Sequence, residues 1–499
     1  MVSLPRAYIN LGWSSVPANK VYFLVPVSVP LGKLPVRLDN LAIDFIIFVL
    51  VRHISLRFKP GSHYDNMTLM FYYSTRNRKD AVSFARAALA GLAPDGGLYV
   101  PGEIPQYSVA VKSSLKTMAY PDIAFETIRP WVKDDIPDSP LADIIHSAYP
   151  FQAPLAEVGN RFVLELFHGP TAAFKDFGAR FMARAFSYLR RGEDKPLKIL
   201  VATSGDTGGA VADGFFGIEG ISVTVLYPKG RVSPLQERQI AGLGGNVSAL
   251  AVEGSFDDCQ RLVKLAFADE DLKKRLVLSS ANSINISRLV PQAVYYAAAA
   301  GQVPNAHFCV PSGNFGNLTA GLYAYKMGAP INKFIAATNI NKTFPDYLES
   351  GKYEGRVSKA TLSNAMDVGA PSNFERLEAH FSWEEMQYLI LASSVNDDET
   401  LKTISETFNH AGYYLDPHTA VGWKAVDKLI AAGKLAGGTS ALAGSTHVIL
   451  STAHPAKFAE TVEPITGPVP VPPSLEKAME RNVNSRTIPA ELNILKEYL

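Results

Sequence analysis

Cysteine is nearly absent: 499 residues contain two, Cys259 and Cys309. They form no CxxC spacing, so neither a disulfide framework nor a thiolate metal site is expected. Their apolar surroundings mark them as core residues, suited to a reducing interior, and the cytoplasm is the expected location. Net charge is also nearly absent, at +1, so no long-range field recruits nucleic acid or an anionic membrane. Any anionic ligand must therefore be captured locally. No apolar run is long enough to span a bilayer; "LAIDFIIFVLV" at 41–51 is too short and carries Asp44. No His/Asp/Glu cluster has metal-ligand spacing, so no catalytic metal is expected. Hydrophobic content of 47% with 19% charge is that of a packed protein, and the length calls for two or more domains.

Residues 1–66 lack glutamate altogether and are rich in Val, Leu and Pro. No charged segment, apolar core and small-residue cleavage site follow one another at the start, and the Ser-rich amphipathic character of a transit peptide is missing. Ordinary domain sequence begins abruptly at "FYYSTRN", and the natural start is expected at Met67 or Met70, with the leader spurious. Residues 67–150 read as a small N-terminal module. Within it "AVSFARAALAG" is an amphipathic helix stopped at Gly91, followed by a turn at Asp95-Gly96-Gly97 and a short strand.

Further on, apolar runs alternate with helical patterns. "KILVATS", "ISVTVLYP", "VSALAVEG", "RLVLSSA" and "HFCVPSG" precede helices expected over 210–216, 235–242, 257–268, 287–300 and 318–327. Such alternation means βαβ units and mostly parallel sheet, an α/β fold. "THVILSTA" adds one more strand, and the Pro-rich "TGPVPVPPS" is expected as a surface segment before a final helix.

Two strand-to-helix junctions are rich in glycine. In "VPSGNFGNLTAG" (310–321), Gly313 and Gly316 permit tight backbone turns, and successive N–H groups beside a helix N-terminus suit a phosphate. "VATSGDTGGAVADG" (201–214) has the same layout, with Ser204, Gly205, Asp206 and Thr207 at its turn. Neither is a P-loop or a dinucleotide fingerprint. Two anion sites without nucleotide signatures suggest a phosphorylated cofactor, a phosphorylated or carboxylate substrate, or both. At a third junction, "HGPTAAFKDFGARF", Lys175 stands among Ala172, Ala173, Phe174 and Phe177. Partial burial favours the neutral, nucleophilic amine. A phosphate cradle and a reactive lysine are the minimal equipment for binding pyridoxal 5'-phosphate.

That last segment resembles the pyridoxal-phosphate signature of the threonine synthases, in the branch found in many bacteria and fungi. "YYSTRN", "GLAPDGGLYVP", "ATSGDTGGA", "ANSINISRLVPQ", "PSGNFGNLTAG", "SNAMDVGAPSNFER", "LDPHTAVG" and "STAHPAKF" resemble the same family and occur in its order, from about Met70 onward. The resemblance implies fold type II of the pyridoxal-phosphate enzymes (tryptophan synthase beta-like). That architecture has two unequal α/β domains, here about 151–196 with 301–499, and 197–300. It implies that Lys175 carries the cofactor as a Schiff base and shuttles protons, with Phe174 against the cofactor or its pocket wall. The backbone of Ser312, Gly313, Asn314, Phe315, Gly316 and Asn317 would grip the phosphate, and Thr452 would face the pyridine nitrogen. Ser204, Gly205, Asp206 and Thr207 would meet the substrate carboxylate and the ring 3-oxygen. Several fold-type relatives have Asn at the position of Asp206, and an ionised Asp there would repel a phenolate. Ser283 and Arg288 would bind the substrate phosphate. Asn282 and Asn285 fit either helix caps or substrate contacts, while His168, His418 and His454 fit hydrogen-bonded structural roles. The implied reaction turns O-phospho-L-homoserine and water into L-threonine and phosphate. A phospho-lyase on the same fold, releasing 2-oxobutanoate, is the alternative. The sequence sets no oligomeric state.

Overall fold

The structure, a computed structural model, describes residues 69–436 and 446–499. The expectation for the leader lies outside the described residues, which belong to one compact unit, 68–499. In the N-terminal part, β1 (Tyr72–Ser74) pairs antiparallel with β2 (Tyr99–Pro101). The helix Phe84–Ala90 begins where the Ser83 side chain accepts from the Arg86 N–H and ends at Gly91, whose φ of 74° few other residues adopt. Asp95 closes the following turn by accepting from the Gly97 N–H at 2.9 Å.

The chain continues through β3 (Leu155–Val158), β4 (Arg161–Glu165), β5 (Leu197–Ala202), β6 (Ile221–Pro228), β7 (Val247–Glu253) and β8 (Val277–Ser279). It then forms β9 (Ala306–Pro311), β10 (Ile331–Thr338), β11 (Ile390–Ser394), β12 (His447–Ser451) and β13 (Ser485–Pro489). Two sheets result, ordered β11-β10-β9-β12-β4-β3 and β13-β7-β6-β5-β8. Every pairing in them is parallel except β3 with β4. Parallel strands need both faces covered, which explains why β9 and β12 are buried along their whole length. In the larger sheet Ile449 sits between Cys309 and Val163. Both cysteines are buried and unpaired.

The helix expected over 287–300 is interrupted: Ile286–Leu289 passes through a 3₁₀ turn, Val290–Gln292, before Ala293–Gln302. Pro291, without an N–H, breaks the hydrogen-bond ladder there. The chain also does not stop at one helix after the proline-rich segment. Pro473–Met479 is followed by β13 and a short helix, Leu492–Lys496. β13 pairs with β7, so the C-terminal end joins the five-stranded sheet rather than the sheet of β9–β12. Only Ile488 of β13 is buried, as suits an edge strand, where a short, mostly polar run suffices.

Candidate active site

Three junctions at the carboxyl ends of parallel strands converge on one cavity of about 550 Å³, the usual ligand position in such sheets. β4 leads to the helix Lys175–Leu189, β5 to Asp206–Phe215, and β9 to Gly316–Met327. Lys175 is the first residue of its helix and only 13% of its side chain is exposed. Burial lowers its pKa from the usual lysine value; Asp206 opposes that shift, while Lys457 and Arg288 reinforce it. Phe174 forms part of the same wall, and its backbone N–H donates to the Thr452 carbonyl at 2.9 Å. That bond ties the lysine segment to the end of β12, so Thr452 also faces the cavity.

The 312–317 loop keeps its side chains engaged and its backbone close to the cavity. Asn314 donates to Ser283 Oγ at 2.6 Å and accepts from the Ser372 N–H at 2.5 Å. Phe315 adopts a left-handed conformation, φ 59°, which turns the chain into the helix. Gly313 admits no side chain: a Cβ there would lie 2.7 Å from the Ala365 carbonyl oxygen and 2.8 Å from Met366 Cα. The first amides of the helix, including Gly316 and Asn317, have no acceptor within it. Asn317 Oδ1 accepts from the Tyr295 and Tyr296 hydroxyls, both at 2.7 Å, leaving its buried Nδ2 without a protein partner. An orphaned amide donor and free helix amides around Gly313 are what a phosphate group would satisfy, so the residues present fit pyridoxal phosphate.

The 204–207 loop differs. Ser204, Asp206 and Thr207 line the cavity, but Gly205 does not. Gly205 has a φ of 145° and is held by Thr203, whose Oγ1 accepts from its N–H at 3.0 Å. It shapes the loop and makes no wall. The Asp206 carboxylate, buried, lies 3.5 Å from Lys175 Nζ and 2.8 Å from Lys457 Nζ, and accepts from Gln236 Nε2 at 3.0 Å. Burial alone would raise its pKa, but Lys457 and then Lys175 outweigh that and hold the carboxyl well below the usual range.

Ser283 and Arg288 both reach the cavity wall. Arg288 is 2% exposed, so it is no surface ion-pair residue. It donates one bond to the Ala281 carbonyl at 2.7 Å and leaves Nε unpartnered; burial pushes its pKa down to about 10. Asn282 lines the cavity with a buried, unpartnered Oδ1, whereas Asn285 caps Ile286–Leu289 and donates to the Ala88 and Ser280 carbonyls. His168 bonds Glu165, His454 accepts from the Ala456 N–H, and His418 is engaged at both nitrogens, by Asp416 and the Ala365 N–H. Lys457 and Gln236 were not anticipated as site residues. Lys457, like Lys175, has apolar neighbours, here Ala456 and Phe458 in "STAHPAKF", while nothing local distinguishes Gln236.

Known proteins are similar to this chain over most of its length. Residues 151–446 match the family model described as pyridoxal-phosphate dependent enzyme, 71–149 that of threonine synthase N terminus, and 419–499 that of threonine synthase, C-terminal. The threonine synthase of Escherichia coli K12 is 41% identical over 437 residues, covering 86% of this chain and 99% of the relative. That of Saccharomyces cerevisiae is 37% identical, covering 78% and 88%. Among solved structures, the Escherichia coli enzyme superposes with a TM-score of 0.78 at 40% identity, covering 86% of this chain and 99% of that one. A PLP-bound threonine synthase from Brucella melitensis reaches 0.79 at 39% identity, covering 86% and 98%. The fold is that of a fold-type II, pyridoxal-phosphate-dependent enzyme. The chain belongs to the threonine synthase family.

Proposed function

We infer that this chain is a lyase that converts O-phospho-L-homoserine and water to L-threonine and phosphate, using pyridoxal 5'-phosphate. The observation that carries this reading is the buried Lys175 amine at a cavity that the 312–317 loop also lines. Bound there, the cofactor supplies an electron sink that makes the carbon–hydrogen bonds of a linked amino acid acidic.

The chain's own residues do the rest. Lys175 holds the cofactor and, once displaced by substrate, is the amine that takes and returns the Cα proton; its lowered pKa keeps the neutral base available. The amides of 312–317 hold the cofactor phosphate. Thr452, which lines the cavity, would offer the ring nitrogen a hydrogen bond without a full proton transfer. The 204–207 loop receives the substrate carboxylate, and Ser283 and Arg288 receive its phosphate, where guanidinium suits a dianion. In the balanced reaction the Cγ–O bond breaks and phosphate leaves, Cγ gains a proton, and Cβ exchanges a hydrogen for the hydroxyl of water. Among the described residues no helix is long and apolar enough to cross a membrane. The cytoplasm is the proposed location, fitting two unpaired buried thiols, and cell fractionation tests it.

Incubating the full-length protein with pyridoxal phosphate and O-phospho-L-homoserine tests the reaction. Threonine and phosphate in equal amounts are expected. Phosphate with 2-oxobutanoate would move the chain to the phospho-lyase reading, and absence of phosphate release would overturn the substrate.

A further inference from the structure

A second lysine, Lys457, lies one carboxylate away from Lys175, and the reaction as described gives it no task. Its side chain is completely buried. The ammonium sits 2.8 Å from Asp206 Oδ1 and donates to the Thr171 carbonyl at 2.8 Å. Thr171 belongs to the turn just before Lys175, Asp206 to the loop after β5, and Lys457 to the segment that follows Thr452. One ammonium therefore joins three separate pieces of the cavity wall. Gln239 donates to the same Thr171 carbonyl at 3.1 Å, so the turn is held from two sides.

The charge arithmetic gives this contact a consequence. A buried carboxylate facing a buried lysine would ordinarily pair with it and hold it as an ammonium. Here Asp206 faces two lysines and lies nearer to Lys457, 2.8 Å against 3.5 Å. Its negative charge is spent mainly on Lys457, leaving Lys175 only a long contact. Arg288 adds a further positive charge near Lys175, while Asp176 and His454 are the other titratable groups that sense Lys457. A neutralised Asp206 also removes the repulsion that a bare carboxylate would exert on an oxyanion of the cofactor ring.

We propose that Lys457 is a positioning residue, whose ammonium occupies Asp206, fixes the 204–207 loop against the turn before Lys175, and leaves Lys175 Nζ electrostatically free for chemistry. The inference rests on Lys175 being the cofactor-bearing amine.

The test is a pH titration of the cofactor absorbance in full-length holoenzyme, which reads protonation at Lys175 Nζ directly. Lys457→Met leaves Asp206 to Lys175 and should raise the midpoint by about one pH unit. Lys457→Arg, which keeps the charge, should stay near wild type. Asp206→Asn removes the attraction but keeps the Lys457 charge, and should lower the midpoint. The double variant Lys457→Met/Asp206→Asn should lie between the singles. Compared with Asp206→Asn it isolates the contribution of the ammonium, even where Lys457→Met alone fails to fold. Unshifted midpoints, or shifts of one sign in both singles, would overturn the proposal. Borohydride reduction of wild-type protein and mass analysis locate the cofactor separately. A cofactor found elsewhere would remove the Lys175 assignment, whereas unshifted midpoints with the cofactor on Lys175 would remove the Lys457 proposal alone.

Discussion

The 312–317 and 204–207 loops look alike in sequence but differ in charge, the first neutral and the second carrying Asp206. Both follow a buried parallel strand, turn on glycine and open a helix into the same cavity. In the first, the polar side chains are neutral and bonded to neighbouring segments, which leaves backbone amides and the neutral Asn317 Nδ2 as donors. Such a surface receives a dianion at no cost of like charge. In the second, Asp206 places a full negative charge in the wall, balanced by Lys457 and Lys175. Glycine spacing thus marks where an anion could approach, and the charges brought in by distant segments decide whether it would be welcome.

The largest break of this contrast is Lys175→Ala, which removes the reactive amine while Asp206 keeps Lys457 as its partner. Turnover should fall by about 10³-fold or more with folding retained, measured by phosphate release alongside circular dichroism; near-normal turnover would reassign the amine. Gly313→Ala attacks the neutral loop. The added Cβ meets backbone atoms of Ala365 and Met366 that cannot swing aside, at about 1–3 kcal/mol. Weaker cofactor retention is expected in an equilibrium titration with pyridoxal phosphate, and unchanged affinity would mean that the loop stands away from the phosphate.

The charged loop has a pH signature of its own. The Asp206 pKa is depressed on folding, so its stabilisation is complete above the unfolded carboxyl value and is lost as pH falls toward the folded one. Below about pH 4 the urea midpoint of wild type should decline more steeply than that of Asp206→Asn. Parallel declines would show that the carboxyl is not held ionised. The smallest effect belongs to Asn314→Ala, which removes contacts to Ser283 and Ser372 but leaves the backbone amides in place. A loss of about 1 kcal/mol is expected, read as a few-fold weaker cofactor affinity; a loss as large as that of Gly313→Ala would make the side chain, not the backbone, the chief holder.

Local patterns carried much of this. The runs that became β5, β6, β7, β8, β9 and β12 stand out because they are mostly apolar, as strands covered on both faces such as β9 and β12 must be. β11 and β13 are short and partly polar, and nothing in their own residues shows that they close the edges of two sheets. Arg288 offers the same lesson within the site: its helix looks amphipathic in isolation, yet tertiary packing buries the guanidinium at the cavity wall and leaves Nε without a partner.

By itself the amino-acid sequence determined the alternating α/β fold, the two glycine junctions and the exposed-to-ligand position of Lys175, since periodicity and turn chemistry act over a few residues. Only the tertiary structure decided that Lys457 would donate to Thr171, 286 positions away, and share Asp206 with Lys175. Which charges meet in a buried cavity depends on where whole strands and helices are packed, and electrostatics there is set by distance in space, not by distance along the chain.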